Sequence, residues 1–130
     1  HFPPSLIYGR MLREGRGAVD GAERLYKRAL RRNPGHVHAL IGYAQVQQVR
    51  GDVVYAEELY SRALRFHAKN LAAHIHKGLF LETMKGDIAG ADALYAAAQR
   101  IAPAKSRELY EELLPRHLLL LNWTRKHVRA

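Results

Sequence analysis

Gly51-Asp52-Val53-Val54-Tyr55-Ala56-Glu57-Glu58-Leu59-Tyr60-Ser61-Arg62-Ala63-Leu64 is the stretch on which the fold turns. Ala56, Leu59, Tyr60, Ala63 and Leu64 recur at steps of three and four, the spacing of one face of an α-helix. Gly51 can take the left-handed conformation that ends a preceding helix. Asp52 can accept from the first free N–H groups of the helix that follows. The segment reads as the turn and second helix of a helical hairpin.

The string occurs twice more. One copy is Gly17-Ala18-Val19-Asp20-Gly21-Ala22-Glu23-Arg24-Leu25-Tyr26-Lys27-Arg28-Ala29-Leu30, and the other is Gly86-Asp87-Ile88-Ala89-Gly90-Ala91-Asp92-Ala93-Leu94-Tyr95-Ala96-Ala97-Ala98-Gln99. Gly17 precedes Gly51 by 34 residues, and Gly86 follows it by 35. Glycine, alanine, leucine, tyrosine and alanine hold the same places in all three copies. Upstream, Leu6, Leu40 and Ile75 align, as do Leu12, Val46 and Leu81. In that frame the surplus residue falls near Lys69 to Leu71. Helices are expected near 4–15, 19–32, 36–50, 53–67, 71–85 and 88–101, with Gly17, Gly51 and Gly86 as the stops of the first helices. The alanines let paired helices approach closely, and the tyrosines fill the space between hairpins. One such hairpin cannot bury its apolar face alone, so neighbours must stack.

With Pro34 and Pro103 closing second helices, and Ala68 at that place in the middle copy, this Gly…Ala…Tyr…Ala…Pro skeleton resembles the tetratricopeptide repeat family. The resemblance spans residues 3–105. It implies an all-α fold, a right-handed α-solenoid of three helical hairpins with C-terminal capping helices. The units would be 3–36, 37–70 and 71–105, with 106–130 as the capping region. Repeat one departs from the pattern, since Arg10 and Arg13 stand where the family usually has a small residue and an aromatic one. In the tail, Ser106 to Leu114 starts like a fourth first helix. Pro115 is expected to interrupt it, and Leu118, Leu121 and Trp123 to cover the end of repeat three.

The resemblance also implies a concave groove lined by first helices that takes a peptide or helix. Carried over by alignment, its residues are Ile7, Tyr8 and Met11 in repeat one, and His38, Ile41, Gln45 and Gln48 in repeat two. Repeat three supplies His76, Lys77, Phe80 and Thr83. A family variant clamps peptide carboxylates with Lys, Asn, Asn, Lys and Arg. The matching places here hold Ile7, Met11, Gly42, Ala73 and Lys77, so no such clamp is expected.

On the other face, Arg31, Arg65 and Arg100 occupy one place in successive second helices, and Arg28 and Arg62 repeat one turn earlier. They would form a basic ridge. Basic residues at helix C-termini also meet the dipole favourably, which alone could account for them. No aromatic residue interleaves the ridge in the sequence as a stacking platform for single-stranded RNA.

Bulk properties agree with a globular interaction protein. The 130 residues are 48% hydrophobic and 25% charged, with a net charge of +9. Such a surface favours acidic partners: nucleic acid, acidic protein surfaces or anionic lipid. There is no cysteine, which excludes disulfides, thiolate metal sites and cysteine nucleophiles. No apolar run approaches the roughly 18 residues of a membrane-spanning helix. His36 and His38, like His74 and His76, form His-x-His pairs. Residues two apart on a helix diverge by about 200°, so neither pair suits one ion. No serine sits in a Gly-x-Ser-x-Gly turn, and no phosphate loop is present.

The expectation is a non-catalytic protein–protein interaction scaffold with no cofactor. It would be intracellular, and either a module of a longer protein or a subunit of a large assembly. Its partner would be a protein with an acidic or apolar helical surface. The alternatives are an RNA-associated repeat protein using the basic ridge, and a regulatory or targeting module that receives a peptide. The chain opens on His1 rather than Met, which points to a processed form or an excerpt.

Overall fold

The structure, a computed structural model, describes residue 10 and residues 13–128. Six helices follow one another: α1 (Arg16–Arg32), α2 (Val37–Arg50), α3 (Val53–Phe66), α4 (Leu71–Phe80), α5 (Ile88–Ile101) and α6 (Pro103–His127). A π-helical turn, Leu81–Lys85, extends α4. Arg10, Arg13 and Glu14 are also helical, and no strand occurs among the described residues. Helices α2 and α3 pair, as do α4 and α5, while α1 packs on α2 and α3 packs on α4. This is the expected all-α stack of hairpins.

The caps explain why the helices start where they do. The Tyr55 N–H donates to Asp52 Oδ1 and the Gly90 N–H to Asp87 Oδ1, so both aspartates act as the sequence predicts. Asn70 does the same for Ala73, and the His36 ring accepts from the Ala39 N–H. Gly51 (φ 86) and Gly86 (φ 67) take the left-handed conformation. In repeat one the turn falls on Gly15 (φ 67) and not on Gly17, which lies inside α1. The expected stop at Gly17 is therefore two residues late. Gly15 offers the same freedom of φ, and α1 gains an extra part-turn.

The surplus residue also lies elsewhere than expected. The links Asn33–His36 and His67–Asn70 are equal in length, whereas the first helix of repeat three is longer by one residue. The π turn absorbs it, since its i→i+5 pattern holds one residue more than an α turn. Through Phe80, repeat three therefore runs 34 residues behind repeat two, and Gly78 falls opposite Ala44.

The core bears out the alanines of the Ala–Tyr–Ala skeleton and two of its tyrosines, while Tyr95 is only half-buried. Ala22, Ala56 and Ala91 are buried, as are Ala29, Ala63 and Ala98. Tyr26 and Tyr60 are enclosed completely, and burying a large apolar side chain stabilises by ~1.5–3 kcal/mol. The Tyr60 hydroxyl donates to Gln48 Oε1, and its ring lies 5.2 Å from that of Phe80. The Tyr26 ring sits against Gly42, where a Cβ would collide with it. Burial pushes the Tyr26 phenol up to about 12.

Ion pairs tie successive repeats. Arg50 reaches Asp20 (2.6 Å) and Glu23 (2.9 Å), and Lys85 reaches Glu57 (2.6 Å). Exposed pairs of this kind contribute ~0–1 kcal/mol each, so they set register more than stability.

The tail departs most from expectation. One helix of 25 residues continues through Pro115. Pro115 is exposed, so a carbonyl left without its helical donor there can face water. Leu113, His117, Leu120 and Thr124 then stay in helical phase and turn inward. Leu118, expected to cover repeat three, is 44% exposed as a result.

Candidate interaction surfaces

The first-helix face is built by α2 and α4. From Ala39 to Val49 every residue of α2 is buried, because α1 and α3 cover two sides and α6 a third. Among the described residues, the first-helix face of α2 and α4 is thus covered by the chain's own C-terminal helix. Ile41, Gln45, Gln48, His76 and Phe80, read from the sequence as groove lining, are all buried. His38, Lys77 and Thr83 are half-buried, and the Thr83 hydroxyl turns back to donate to Leu79 O (2.7 Å). Ile7, Tyr8 and Met11 lie outside the described residues. The one-residue change of register before the π turn adds to the discrepancy in repeat three: it places Ile75 and Leu79, not His76 and Phe80, opposite Ile41 and Gln45.

A polar seam runs under α6. His76 Nδ1 lies 3.0 Å from His117 Nε2 and 3.3 Å from Gln45 Nε2. His76 Nδ1, with its single lone pair, can accept from the His117 Nε2–H or from the Gln45 amide, and the shorter contact is the one with His117. Burial holds the His76 imidazole down at about 3, with the positive charge of Arg116 and the His38 ring adding to it. Burial, and then His76, hold His117 well below the ordinary histidine range. Further along, Thr124 Oγ1 donates within hydrogen-bond distance of both Gln48 O (3.0 Å) and Leu120 O (2.9 Å). Trp123 stacks on His127 at 3.8 Å, and Arg16 Nη2 donates to His127 O (2.9 Å). His117, Leu120 and Thr124 were missed as site residues. Their signal was in the sequence, as the continuation of the Leu113 stripe at helical spacing across Pro115.

The ridge residues are on the surface. Arg28, Arg31, Arg65 and Arg100 are exposed and Arg62 is half-buried. Arg31, Arg65 and Arg100 stand in the last turns of α1, α3 and α5, where each meets the negative end of a helix dipole. Arg65 also pairs with Glu58 at 2.6 Å. The structure brings Arg31 and Arg62 together with Lys27 around one open cleft, whose remaining walls are Leu30, Tyr43 and Tyr55. Two aromatic rings therefore do lie beside the ridge, edge to face at 5.6 Å. Tyr43 is only 9% exposed, so it presents no open face on which a base could stack.

A second cavity of about 340 Å³ lies among α4, α5 and α6. Glu82 accepts there from the Tyr95 and Tyr110 hydroxyls at 2.8 and 3.2 Å. Burial raises both phenols, and Glu82 adds to the effect. The pair ties the start of α6 to repeat three. No described helix is long and apolar enough to cross a membrane.

Comparison with known proteins agrees with this geometry. A family model described as tetratricopeptide repeat matches residues 15–79, half of the chain. The matched span covers α1, α2, α3 and most of α4. No curated protein matches the chain.

Proposed function

The chain belongs to the tetratricopeptide repeat family, and from that premise we propose that it is a non-catalytic scaffold, a module of a longer protein or a subunit of a large assembly. Repeats of this family are generally protein-interaction modules. The observation that carries the reading is the difference between the two faces. The first-helix face is closed under α6, whereas the arginines of α1, α3 and α5 remain at the surface. The open docking surface is then the basic ridge, and its partner is an acidic protein surface. Charge complementarity of this kind acts chiefly on encounter rate and specificity.

The experiment is affinity purification with the wild-type chain and with Arg31, Arg65 and Arg100 all changed to Gln, followed by salt titration against the recovered protein. The triple variant should keep its helicity and lose association through a slower on-rate. A partner retained equally by both chains at low salt would reduce the ridge to dipole compensation. Affinity for RNA that falls steeply with salt, with a shallower slope in the variant, would favour the RNA-associated reading instead.

A further inference from the structure

The cleft at Arg31 and Arg62 is unlike the rest of the ridge. It has a volume of about 380 Å³ and is lined by Lys27, Leu30 and Arg31 of α1, Tyr43 of α2, and Tyr55 and Arg62 of α3, with no acidic side chain among them. The carboxylates one helical turn before Lys27 and Arg62 are engaged elsewhere, Glu23 with Arg50 (2.9 Å) and Glu58 with Arg65 (2.6 Å). Among the described residues, none of Lys27, Arg31 and Arg62 forms an ion pair. The helix dipole accounts for Arg31, in the last turn of α1. Lys27 and Arg62 stand before the last turns of α1 and α3, where that field has faded. The repeat does not demand the set either. At the next junction, between α3 and α5, the places of Lys27 and Arg62 hold Ser61 and Ala97, and that of Tyr55 holds Gly90. Three like charges around one cleft repel one another, and an anion seated between them relieves that repulsion.

We propose that this cleft binds a phosphorylated side chain of the partner protein. The proposal rests on the ridge reading above and names the anchor of that surface. A phosphomonoester carries a charge of about −1.5 to −2 at neutral pH and three strong acceptor oxygens, against three cationic groups around the cleft. A carboxylate offers one charge and two oxygens, which leaves one of the three cations unmatched. Arg31 and Arg62 present planar donor forks that suit phosphate, and Lys27 adds a point charge. Leu30 and Tyr55, both half-buried, give the carbon stem of the phosphorylated residue an apolar wall.

The test uses the whole chain and, as probes, fluorescein-labelled alanine–glycine peptides with one central phosphoserine or phosphotyrosine, and the same peptides with glutamate there. Binding is read by anisotropy, with helicity checked by circular dichroism. At least one phosphopeptide should bind about tenfold or more tighter than its glutamate form. Arg62→Gln and Lys27→Gln should each weaken it about tenfold, the loss of one charge-assisted contact. Arg65→Gln and Arg100→Gln, outside the cleft, should change it less than about twofold, since exposed charges at a distance are screened. Lys27 is exposed, so its variant decides the matter should Arg62→Gln lose helicity. Binding of neither phosphopeptide overturns the proposal, as does equal affinity for phosphate and glutamate forms. Equal loss in all four variants overturns it in favour of attraction by the ridge as a whole. Inorganic phosphate that binds as tightly as the peptide overturns it in favour of a free ion, and a single-stranded RNA that displaces the peptide at equal concentration overturns it in favour of nucleic acid. Phosphatase treatment of the partner recovered by affinity purification should release it from the wild-type chain. A treated partner that still binds wild type, and not the chain with Arg31, Arg65 and Arg100 changed to Gln, overturns the cleft and leaves the ridge reading standing.

Discussion

His76 on α4 and His117 on α6 meet in the interior, Nδ1 to Nε2 at 3.0 Å, with neither ring open to solvent. Besides burial, the charge of Arg116 on α6 and of His38 on α2 acts on His76, and both disfavour an imidazolium there. The pair ties the last helix to the stack only while both rings are neutral.

Stability should therefore fall on mild acidification. Both histidines titrate below their ordinary range in the folded chain and near 6.5 when unfolded. Their contribution is complete above pH 6.5 and is lost as pH drops toward the folded values, at up to about 1.4 kcal/mol per pH unit for each ring. Denaturant melts between pH 7.5 and 5, followed by the fluorescence of Trp123, the single tryptophan, should show the midpoint falling. His76→Gln with His117→Gln should flatten that dependence. Parallel profiles for the two chains would contradict the burial of the pair.

Ala56→Leu should destabilise the domain more than Arg62→Leu. Ala56 is fully enclosed, and overpacking such a site costs ~1–3 kcal/mol. Arg62 is half-exposed, and surface changes usually stay within about ±0.5 kcal/mol. Equal midpoints in urea would mean the faces of α3 are misassigned.

Two glycine-to-alanine changes should act in opposite directions. At Gly17 nothing lies within 4 Å of an added Cβ, and the site is inside α1, so alanine should stabilise by roughly 0.5–1 kcal/mol. At Gly42 the methyl would strike the Tyr26 ring, for a loss of ~1–3 kcal/mol. Thermal melts of the two variants on the same side of wild type would count against these placements. In particular, a destabilised Gly17→Ala would restore Gly17 as the turn.

The repeat was legible because its signals are local and periodic. Asp52 and Asp87 announce their helices by position alone, and the buried alanines and tyrosines follow one helical face. What escaped was decided by contacts distant in sequence. Spacing told of one surplus residue, but a π turn at Leu81–Lys85 and a longer link at Lys69 lengthen the chain equally. Proline propensity spoke against a helix through 115, yet the burial of Leu113, His117 and Leu120 outweighs it. The groove residues had the composition of a half-apolar lining. Nothing local to Gln45 or Gln48 reveals that a helix 76 residues further on covers them.

Pro115→Ala should raise the melting temperature. It restores one N–H donor and removes the clash with the preceding turn, and proline in a helix interior costs ~3 kcal/mol relative to alanine. Slower hydrogen exchange over residues 111–127, with no change in α1, should accompany it. An unchanged melting temperature would mean that bending at 115 already relieves the clash.

The π turn behaves like a dislocation in a crystal. One extra unit has entered a row, and its misfit is confined to the five residues Leu81–Lys85. On either side the lattice keeps its registry: Lys85 still meets Glu57 as Arg50 meets Glu23, and Gly86-Asp87 turn the chain as Gly51-Asp52 do. Deleting one residue within the turn, such as Thr83, should therefore anneal the defect. The remaining four residues would close as an ordinary helical turn, with the hairpins before and after it undisturbed.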